Sequence, residues 1–261
     1  MENALENLAR LVERLRLECP WDREQTPETI RAYLLEECYE TLEALDRGDP
    51  AALSGELGDL LFQVFFLATL AKERGCFDLT QVADQVADKM IERHPHVFGG
   101  TRAKDAAEVK RGWEARKRRE AGAADDPFDS LPKALPAVAA AYRMASRAAD
   151  LGFDWDRDAD VAAKIEEEIA EWRAAAQAGD AANEEHEIGD LLLSVVNLAR
   201  RRQVDPEAAL RKANARFRAR FAGVARRAAA SGREMAEIEA DELNRYWEEA
   251  KAEEGRPDKR S

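Results

Sequence analysis

The stretch LLEECYETLEALDRGDPAALSGELGDLL, residues 34–61, decides the fold. Leucines recur at helical spacing on both sides of Gly48, Asp49 and Pro50. A glycine that ends one helix, an aspartate that caps the next and a proline in its first turn predict two helices joined by a short turn. Such a short connection favours antiparallel packing of the two helices.

Four acids of this stretch are placed as though they bordered a core. At about 100° per residue, Glu37 falls within an apolar arc of the first helix and Glu40 falls at its edge. Glu56 falls within the arc of the second helix, with Asp59 at its margin. The arcs are formed by Leu34, Cys38, Leu42 and Leu45 and by Leu53, Leu57, Leu60 and Val64. We therefore expect four carboxylates to meet at the rim of a core.

The same pattern recurs in the second half of the chain. EIGDLLLSV repeats ELGDLLFQV, and the acids of both copies are separated by intervals of three, sixteen and three residues. The second set consists of Glu168, Glu171, Glu187 and Asp190. FDWDRD at 153–158 also resembles CPWDRE at 19–24. The chain is therefore predicted to be a tandem duplication.

Helical periodicity runs through most of the chain, and an alternating strand pattern is not evident. The predicted fold class is all-α, with two related helical-bundle domains at 1–120 and 136–261 and a linker at 121–135 that is rich in proline and alanine. The predicted helices lie near 2–17, 27–47, 50–73, 79–94, 104–120, 136–150, 158–178, 180–201, 205–229 and 234–253.

Composition excludes several classes of function. A net charge of -13 argues against duplex nucleic acid or an anionic membrane as a partner. Three cysteines without a CxxC pair argue against a disulfide framework and indicate a reducing cytoplasm. The acidic amino terminus has no signal-peptide pattern, and LLFQVFFLATLA at 60–71 is too short to span a bilayer, so we expect a buried helix there. The same stretch forms an apolar ridge that one half alone would leave exposed, so we expect a homodimer that pairs equivalent halves to bury it.

Acids near a core need a neutralising partner, because unpaired buried charge is strongly penalised. A solvated face of glutamates is the plainer alternative, but the duplicated spacing argues against it. A di-iron bundle would need Glu-x-x-His pairs. The residues three before His94, His96 and His186 are Ile91, Arg93 and Asn183, so that class of site is excluded. Magnesium suits an all-carboxylate site and commonly takes substrate phosphates as further ligands.

The motifs EExxE and ExxD, with CPWD before them, RHPHVFGG after them and the later KANARF, resemble the MazG family of nucleoside triphosphate pyrophosphohydrolases. The resemblance covers nearly the whole chain. It implies an all-α homodimer that uses Mg²⁺, or Mn²⁺ in its place, to convert NTP and water into NMP and diphosphate. That reaction clears non-standard or surplus nucleotides. In two-domain members, catalysis on ordinary NTPs is placed in the carboxyl-terminal half.

The resemblance also suggests roles for individual residues. Glu167 or Glu168 would accept the proton of the attacking water. The expected metal ligands are Glu168, Glu171, Glu187 and Asp190, with Glu37, Glu40, Glu56 and Asp59 as a second set. The expected substrate contacts are Lys164, Lys212, Asn214, Arg216 and Trp247, with Lys89 and Arg93 in the first half.

Several alternatives stay open at this point. His94 and His96 suit helix capping or packing as well as catalysis, and Trp21, Trp155 and Trp247 suit a core as well as base stacking. A related pyrophosphohydrolase would act on a narrower substrate, either dUTP and dCTP or phosphoribosyl-ATP. A helical interaction protein that binds metal without catalysis is a third hypothesis.

Overall fold

The computed structural model describes residues 2–106, 108–109, 112–113, 116 and 126–254. The chain forms two compact units, Met1–Ala123 and Ala124–Ser261. Within the described ranges both units consist of helices, turns and irregular segments, as the all-α prediction requires. The predicted partition into 1–120, 121–135 and 136–261 stays a prediction. Most of the predicted helix at 104–120 lies outside the described residues.

The amino-terminal unit is built around two long helices. Its elements are α1 (Glu2–Glu18), α2 (Pro20–Glu24), α3 (Pro27–Arg47), α4 (Pro50–Glu73), α5 (Leu79–Arg93) and α6 (Pro95–Phe98). Helices α3 and α4 pack against each other, and α1 packs against α4. The core consists of Val12, Ile30, Phe65, Phe66 and Leu70. The short helices α2 and α6 were not predicted.

The carboxyl-terminal unit repeats the long pair. Its elements are α7 (Ala137–Asp150), α8 (Asp158–Ala178), α9 (Ala181–Arg201), α10 (Pro206–Ala230), a 3₁₀ turn (Met235–Glu237) and α11 (Ala240–Glu254). Helices α8 and α9 form the pair, and α7 packs against α9. Helices α10 and α11 enclose a second core of Val224, Ala228, Ile238 and Tyr246. The single helix predicted at 234–253 is therefore wrong, because the 3₁₀ turn comes before α11.

The turns between paired helices form as the sequence predicts. Gly48 ends α3 with φ +67°, a left-handed conformation that glycine adopts without a Cβ clash. Asp49 accepts hydrogen bonds from the amides of Ala51 and Ala52 at the start of α4. Gly179 and Asp180 perform the same two roles between α8 and α9. Local capping interactions therefore fix where the first helix of each pair ends and where the second begins.

The prediction that the apolar arcs face a core is wrong for part of each arc. Leu57 and Val64 are 49% and 38% exposed, and Leu45 is also exposed. The predicted buried helix at 60–71 holds for Phe65, Phe66 and Leu70 but not for Leu61. Helix α4 packs against α1, α3 and α5, and within the described residues these helices leave Leu57, Leu61 and Val64 partly open to solvent. By length and composition α4 also meets the criteria for a membrane span, although it carries Glu56 and Asp59.

Candidate functional site

A cluster of three carboxylates forms between α3 and α4. One oxygen each from Glu37, Glu56 and Asp59 lies within 4.8 Å of the others. Glu37 Oε1 also accepts a hydrogen bond of 3.4 Å from Gln63 Nε2. The predicted fourth member, Glu40, lies outside the cluster. Its pKa is raised, first by burial and then by the negative charges of Glu56 and Glu37.

An equivalent cluster forms between α8 and α9. One oxygen each from Glu168, Glu171 and Glu187 lies within 4.8 Å of the others. Glu168 and Glu187 are buried, at 3% and 8% exposure. Partial desolvation, followed by the charge of Glu187, raises the pKa of Glu171. The predicted ligand Asp190 stays outside this cluster and lies 3.3 Å from Nε2 of His186.

Lys164 is the charged partner of the second cluster. Its Nζ lies 2.9 Å from Oε1 of Glu167 and 2.9 Å from Oε1 of Glu168. Hydrogen bonds to these two carboxylates raise the pKa of Lys164 well above its usual value. The corresponding position of the first copy, 131 residues earlier, is Tyr33, whose ring packs edge-on against Trp21. The two clusters therefore differ in charge balance.

The loop before α8 and the first residue of α8 are fixed to α9 by ion pairs that the sequence reasoning missed. Arg200 pairs with Asp154 at 2.5 Å, and Arg201 pairs with Asp158 at 2.9 Å. Arg201 also donates to the backbone oxygen of Trp155. Burial alone would raise the pKa of Asp154, but the hydrogen bond and charge of Arg200, the backbone amide of Trp155 and the charge of Arg201 together lower it. Two sequence features could have indicated these ion pairs: the alternating acids of FDWDRD and the basic run ARRR at residues 199–202.

A cavity of about 370 Å³ opens beside the second cluster. Lys164, Glu168 and Asp190 form part of its wall, and Trp155 lines it as well. The polar residue Asn197 of α9 also lines the cavity, although the sequence reasoning had not singled it out. This arrangement joins a carboxylate cluster, a cation and an aromatic surface in one concavity.

Other predicted substrate contacts lie on α10 and α11. Lys212, Asn214 and Arg216 are exposed on α10. Asn214 lines a shallow groove together with Phe217 and Phe221. Trp247 of α11 is partly buried against the second core, and its ring lies 5.3 Å from that of Phe217. The structure therefore joins Lys164 to the second carboxylate cluster, and the roles of the α10 and α11 residues stay predictions.

The basic residues predicted in the first half lie on α5. Lys89 is exposed, and the Arg93 guanidinium lies 5.0 Å from the centre of the Trp113 ring. His94 Nδ1 lies 2.6 Å from the backbone oxygen of Met90, and its ring packs edge-on against Trp113. His94 therefore packs at the end of α5, in line with the capping alternative.

Two family models match the chain, one in each half. The first, described as the MazG nucleotide pyrophosphohydrolase domain, matches residues 25–98. The second, described as phosphoribosyl-ATP pyrophosphohydrolase, matches residues 147–217. Each matched range contains one carboxylate cluster.

Several named relatives resemble the chain over nearly its whole length. A nucleoside triphosphate pyrophosphohydrolase of Escherichia coli K12 is 42% identical over 97% of this chain and 98% of its own length. A nucleoside triphosphate pyrophosphohydrolase/pyrophosphatase MazG of Thermotoga maritima is 40% identical over 94% of this chain and 95% of its own. A crystal structure of a mazG-related protein from Thermotoga maritima matches 43% of this chain and 97% of that chain, with 30% identity and a TM-score of 0.39.

Proposed function

Since this chain belongs to the MazG family of nucleotide pyrophosphohydrolases, we propose that its carboxyl-terminal cluster hydrolyses nucleoside triphosphates to NMP and diphosphate. The observation that carries this proposal is the grouping of Glu168, Glu171 and Glu187 within 4.8 Å, with Lys164 paired to one of them. The physiological role would be to clear unwanted nucleotides in the cytoplasm.

The donor set fits a hard divalent cation. Three carboxylates in so small a space repel one another, and Lys164 supplies one compensating charge for three acids. Oxygen ligands are those that Mg²⁺ prefers, and Mn²⁺ accepts the same set. We assign Glu168, Glu171 and Glu187 as ligands, with Asp190 as the predicted fourth. When bound, the metal would neutralise the phosphate oxygens and make a water molecule more acidic.

Glu167 is the better placed proton acceptor. It lies outside the group of three carboxylates, so its oxygens are not committed to metal, and Lys164 holds it by a 2.9 Å contact. In this mechanism the water oxygen attacks the α-phosphorus as its proton passes to the Glu167 carboxylate. The bond from the α-phosphorus to the bridging oxygen breaks, and diphosphate leaves. Glu168 would then act as a ligand, although both glutamates were candidates for the base.

Lys164 is proposed to bind the phosphate chain as well. Its position between Glu167 and Glu168 lets an incoming phosphate oxygen share the ammonium group with these carboxylates. Lys212, Asn214, Arg216 and Trp247 stay predicted substrate contacts on the neighbouring helices.

The amino-terminal cluster is proposed as a second metal site of lower or no activity. Glu37, Glu56 and Asp59 offer a similar donor set, and Glu40 is the predicted fourth ligand. Tyr33 occupies the repeat position that Lys164 has in the second copy, so this position offers no ammonium group to bind a phosphate. Lys89 and Arg93 stay the predicted phosphate contacts of this half.

A homodimer that pairs equivalent helices is proposed from the exposed apolar faces of α4 and α9. Both helices expose apolar side chains at the same three repeat positions, spaced by four and three residues as one face of a helix requires. These are Leu57, Leu61 and Val64 on α4 and Ile188, Leu192 and Val195 on α9. Such contiguous apolar surface is typical of an interface. Sedimentation should show a dimer at micromolar concentration, and Leu192→Glu with Leu61→Glu should shift it to a monomer.

The activity is tested by a panel of NTPs and dNTPs with Mg²⁺. Diphosphate release, together with NMP, is expected, whereas release of orthophosphate would contradict the proposal. In water labelled with ¹⁸O, the label should enter NMP, because the attack falls on the α-phosphorus. Label in the diphosphate would indicate attack on the β-phosphorus and overturn the mechanism.

Matched double variants locate the activity. Glu168→Gln with Glu187→Gln should abolish hydrolysis, whereas Glu37→Gln with Glu56→Gln, at the same repeat positions, should leave most of it. The reverse result would move catalysis to the amino-terminal unit. The added amides preserve shape, so thermal unfolding of both variants should confirm that the fold is intact.

A second candidate substrate follows from the family match at residues 147–217, which is described by phosphoribosyl-ATP. Adding phosphoribosyl-ATP, dUTP and dCTP to the panel separates a broad enzyme from a narrow one. A single accepted nucleotide would favour the narrow alternative. Failure of every nucleotide to release diphosphate would favour an interaction protein that binds metal without catalysis.

A further inference from the structure

The cavity beside the second cluster has two chemically different sides. Phe153 and Trp155 supply an aromatic side that is open to solvent, at 78% and 38% exposure. Ser194 and Asn197 are buried polar residues that line it from α9. Its volume of about 370 Å³ lies within the range of small-molecule sites. A flat polar ring would find both a stacking surface and hydrogen-bonding groups there.

Asn197 has an unsatisfied donor. The residue is 4% exposed, and its Oδ1 accepts a 2.7 Å hydrogen bond from Arg200 Nε. Arg200 is itself held by Asp154, so the amide orientation is fixed. The Asn197 Nδ2 atom has no hydrogen-bond partner within the described part of the chain. A buried donor without a partner is costly, which points to a ligand that supplies an acceptor.

The duplication shows that this polar position belongs to one copy. The residues 131 positions before Asn197 and Ser194 are Phe66 and Gln63. Phe66 is part of the amino-terminal core, and Gln63 donates to Glu37. At the position of Asn197 the amino-terminal copy therefore packs the apolar Phe66, whereas at the position of Ser194 it has the buried amide of Gln63.

We propose that this cavity receives the nucleobase of the substrate and that Asn197 Nδ2 donates a hydrogen bond to a carbonyl oxygen of the base. The inference rests on the proposed function, because Glu168 belongs both to the cavity wall and to the cluster proposed to bind the metal and the phosphates. A base in the cavity lies next to its own triphosphate, and Trp155 offers an aromatic face for stacking.

The donor character of Asn197 predicts a preference among bases. With Oδ1 engaged by Arg200, the amide presents a donor and not an acceptor. Uracil, cytosine and guanine each offer a carbonyl oxygen, whereas adenine has no carbonyl oxygen and offers only ring nitrogens as acceptors, beside an exocyclic amine that is itself a donor. Bases that carry a carbonyl oxygen should therefore bind about 10-fold more tightly than adenine, the factor expected for one hydrogen bond.

Direct binding to the full-length protein tests the inference without turnover. α,β-Methylene analogues of UTP, GTP and ATP cannot be hydrolysed at the scissile bond, and tripolyphosphate serves as a probe without a base. Calorimetric titration in Mg²⁺ should show that the UTP and GTP analogues bind more tightly than the ATP analogue. All three should bind more tightly than tripolyphosphate. Equal affinity of tripolyphosphate and the nucleotide analogues would overturn the inference.

Two variants separate the base from the phosphates. Asn197→Asp keeps the shape and the acceptor for Arg200 but removes the donor, so the preference over adenine should be lost. Ala148→Phe places a ring in the cavity wall and should bring the affinity of every analogue to that of tripolyphosphate. Affinities are compared as ratios to tripolyphosphate, which cancels any general effect on phosphate binding. Unchanged ratios in both variants would overturn the inference.

The outcomes also separate this inference from the proposed function. If NTPs are hydrolysed but the affinity ratios to tripolyphosphate change in neither variant, the proposed function is supported and the base pocket is wrong. If the analogues bind with a preference among bases but no NTP is hydrolysed, the base pocket is supported and the proposed function is wrong.

Discussion

Replacing Glu187 by glutamine should stabilise the metal-free protein and weaken its response to Mg²⁺. Glu187 and Glu168 are both buried, and their nearest carboxylate oxygens lie within 4.8 Å. Glutamine has nearly the same shape as glutamate but carries no charge, so the substitution removes repulsion without creating a cavity. The same substitution removes a charged ligand.

The magnitude follows from the geometry. Two unit charges 4.8 Å apart repel by about 3 kcal/mol at an effective dielectric constant of about 20. Lys164 offsets part of this repulsion through its ion pair with Glu168. The metal-free variant should therefore gain about 1–3 kcal/mol in free energy of unfolding. For a unit of this size, each kcal/mol raises Tm by about 2–4 °C.

Magnesium should stabilise the wild-type protein more than the variant and so reduce the lead of the variant. At a concentration about 100-fold above Kd, a bound ion stabilises the wild-type protein by about 2.7 kcal/mol. The Glu187→Gln variant should gain less, because one of its three clustered carboxylates is gone. Thermal unfolding in EDTA and in saturating Mg²⁺ measures both effects, and kcat/KM should fall at least about 100-fold.

Glu185→Gln is the matched control. Glu185 is exposed on the same helix, two residues before Glu187, so its substitution should change neither Tm nor the response to Mg²⁺. Loss of stability of Glu187→Gln in EDTA would refute the electrostatic reasoning. A full response of that variant to Mg²⁺ would refute the assignment of Glu187 as a ligand.

Three further predictions concern other parts of the fold. Lys164→Met should raise Mg²⁺ affinity, because it removes a competing cation, and should raise KM for NTP about 10-fold; calorimetry and steady-state kinetics measure the two effects. Because the pKa of Glu171 is raised in the folded state, its contribution to stability is full below the unfolded value of about 4.5 and is lost as pH rises through the folded pKa. Metal-free wild-type protein should therefore show this pH dependence in denaturant unfolding, and Glu171→Gln should lack it. Gly223→Ala should lower stability by about 1–3 kcal/mol, since its Cβ would lie 2.9 Å from that of Ala250, whereas Gly55→Ala, with nothing within 4 Å, should not destabilise.

The helices and their ends were predictable because the signals are local. Gly48 and Asp49 end one helix and cap the next through groups within five residues, and Gly179 and Asp180 do the same. The repeat of four acids was visible from spacing alone. The 3₁₀ turn at Met235–Glu237 could not be predicted in this way. The capping interactions that favour it over a continuous helix involve only a few residues.

The membership of each carboxylate cluster was only partly predictable. Spacing predicts four acids in each copy, but three meet in each, with Glu40 outside the first group and Asp190 outside the second. Helical spacing sets the direction of a side chain to within part of a turn, whereas a metal site depends on differences of a few ångströms. The rotation of each helix against its neighbour decides such differences.

By itself the sequence determined that the protein is helical and duplicated, that each half carries a set of acids, and that the family is MazG. Only the tertiary structure decided that Leu57 and Val64 stay exposed and that Lys164 joins the acids. It also decided that Asn197 keeps an unpartnered amide beside an aromatic cavity. The physical reason is range: periodicity and caps act within a few residues, whereas burial and charge pairing depend on which helices cover which faces.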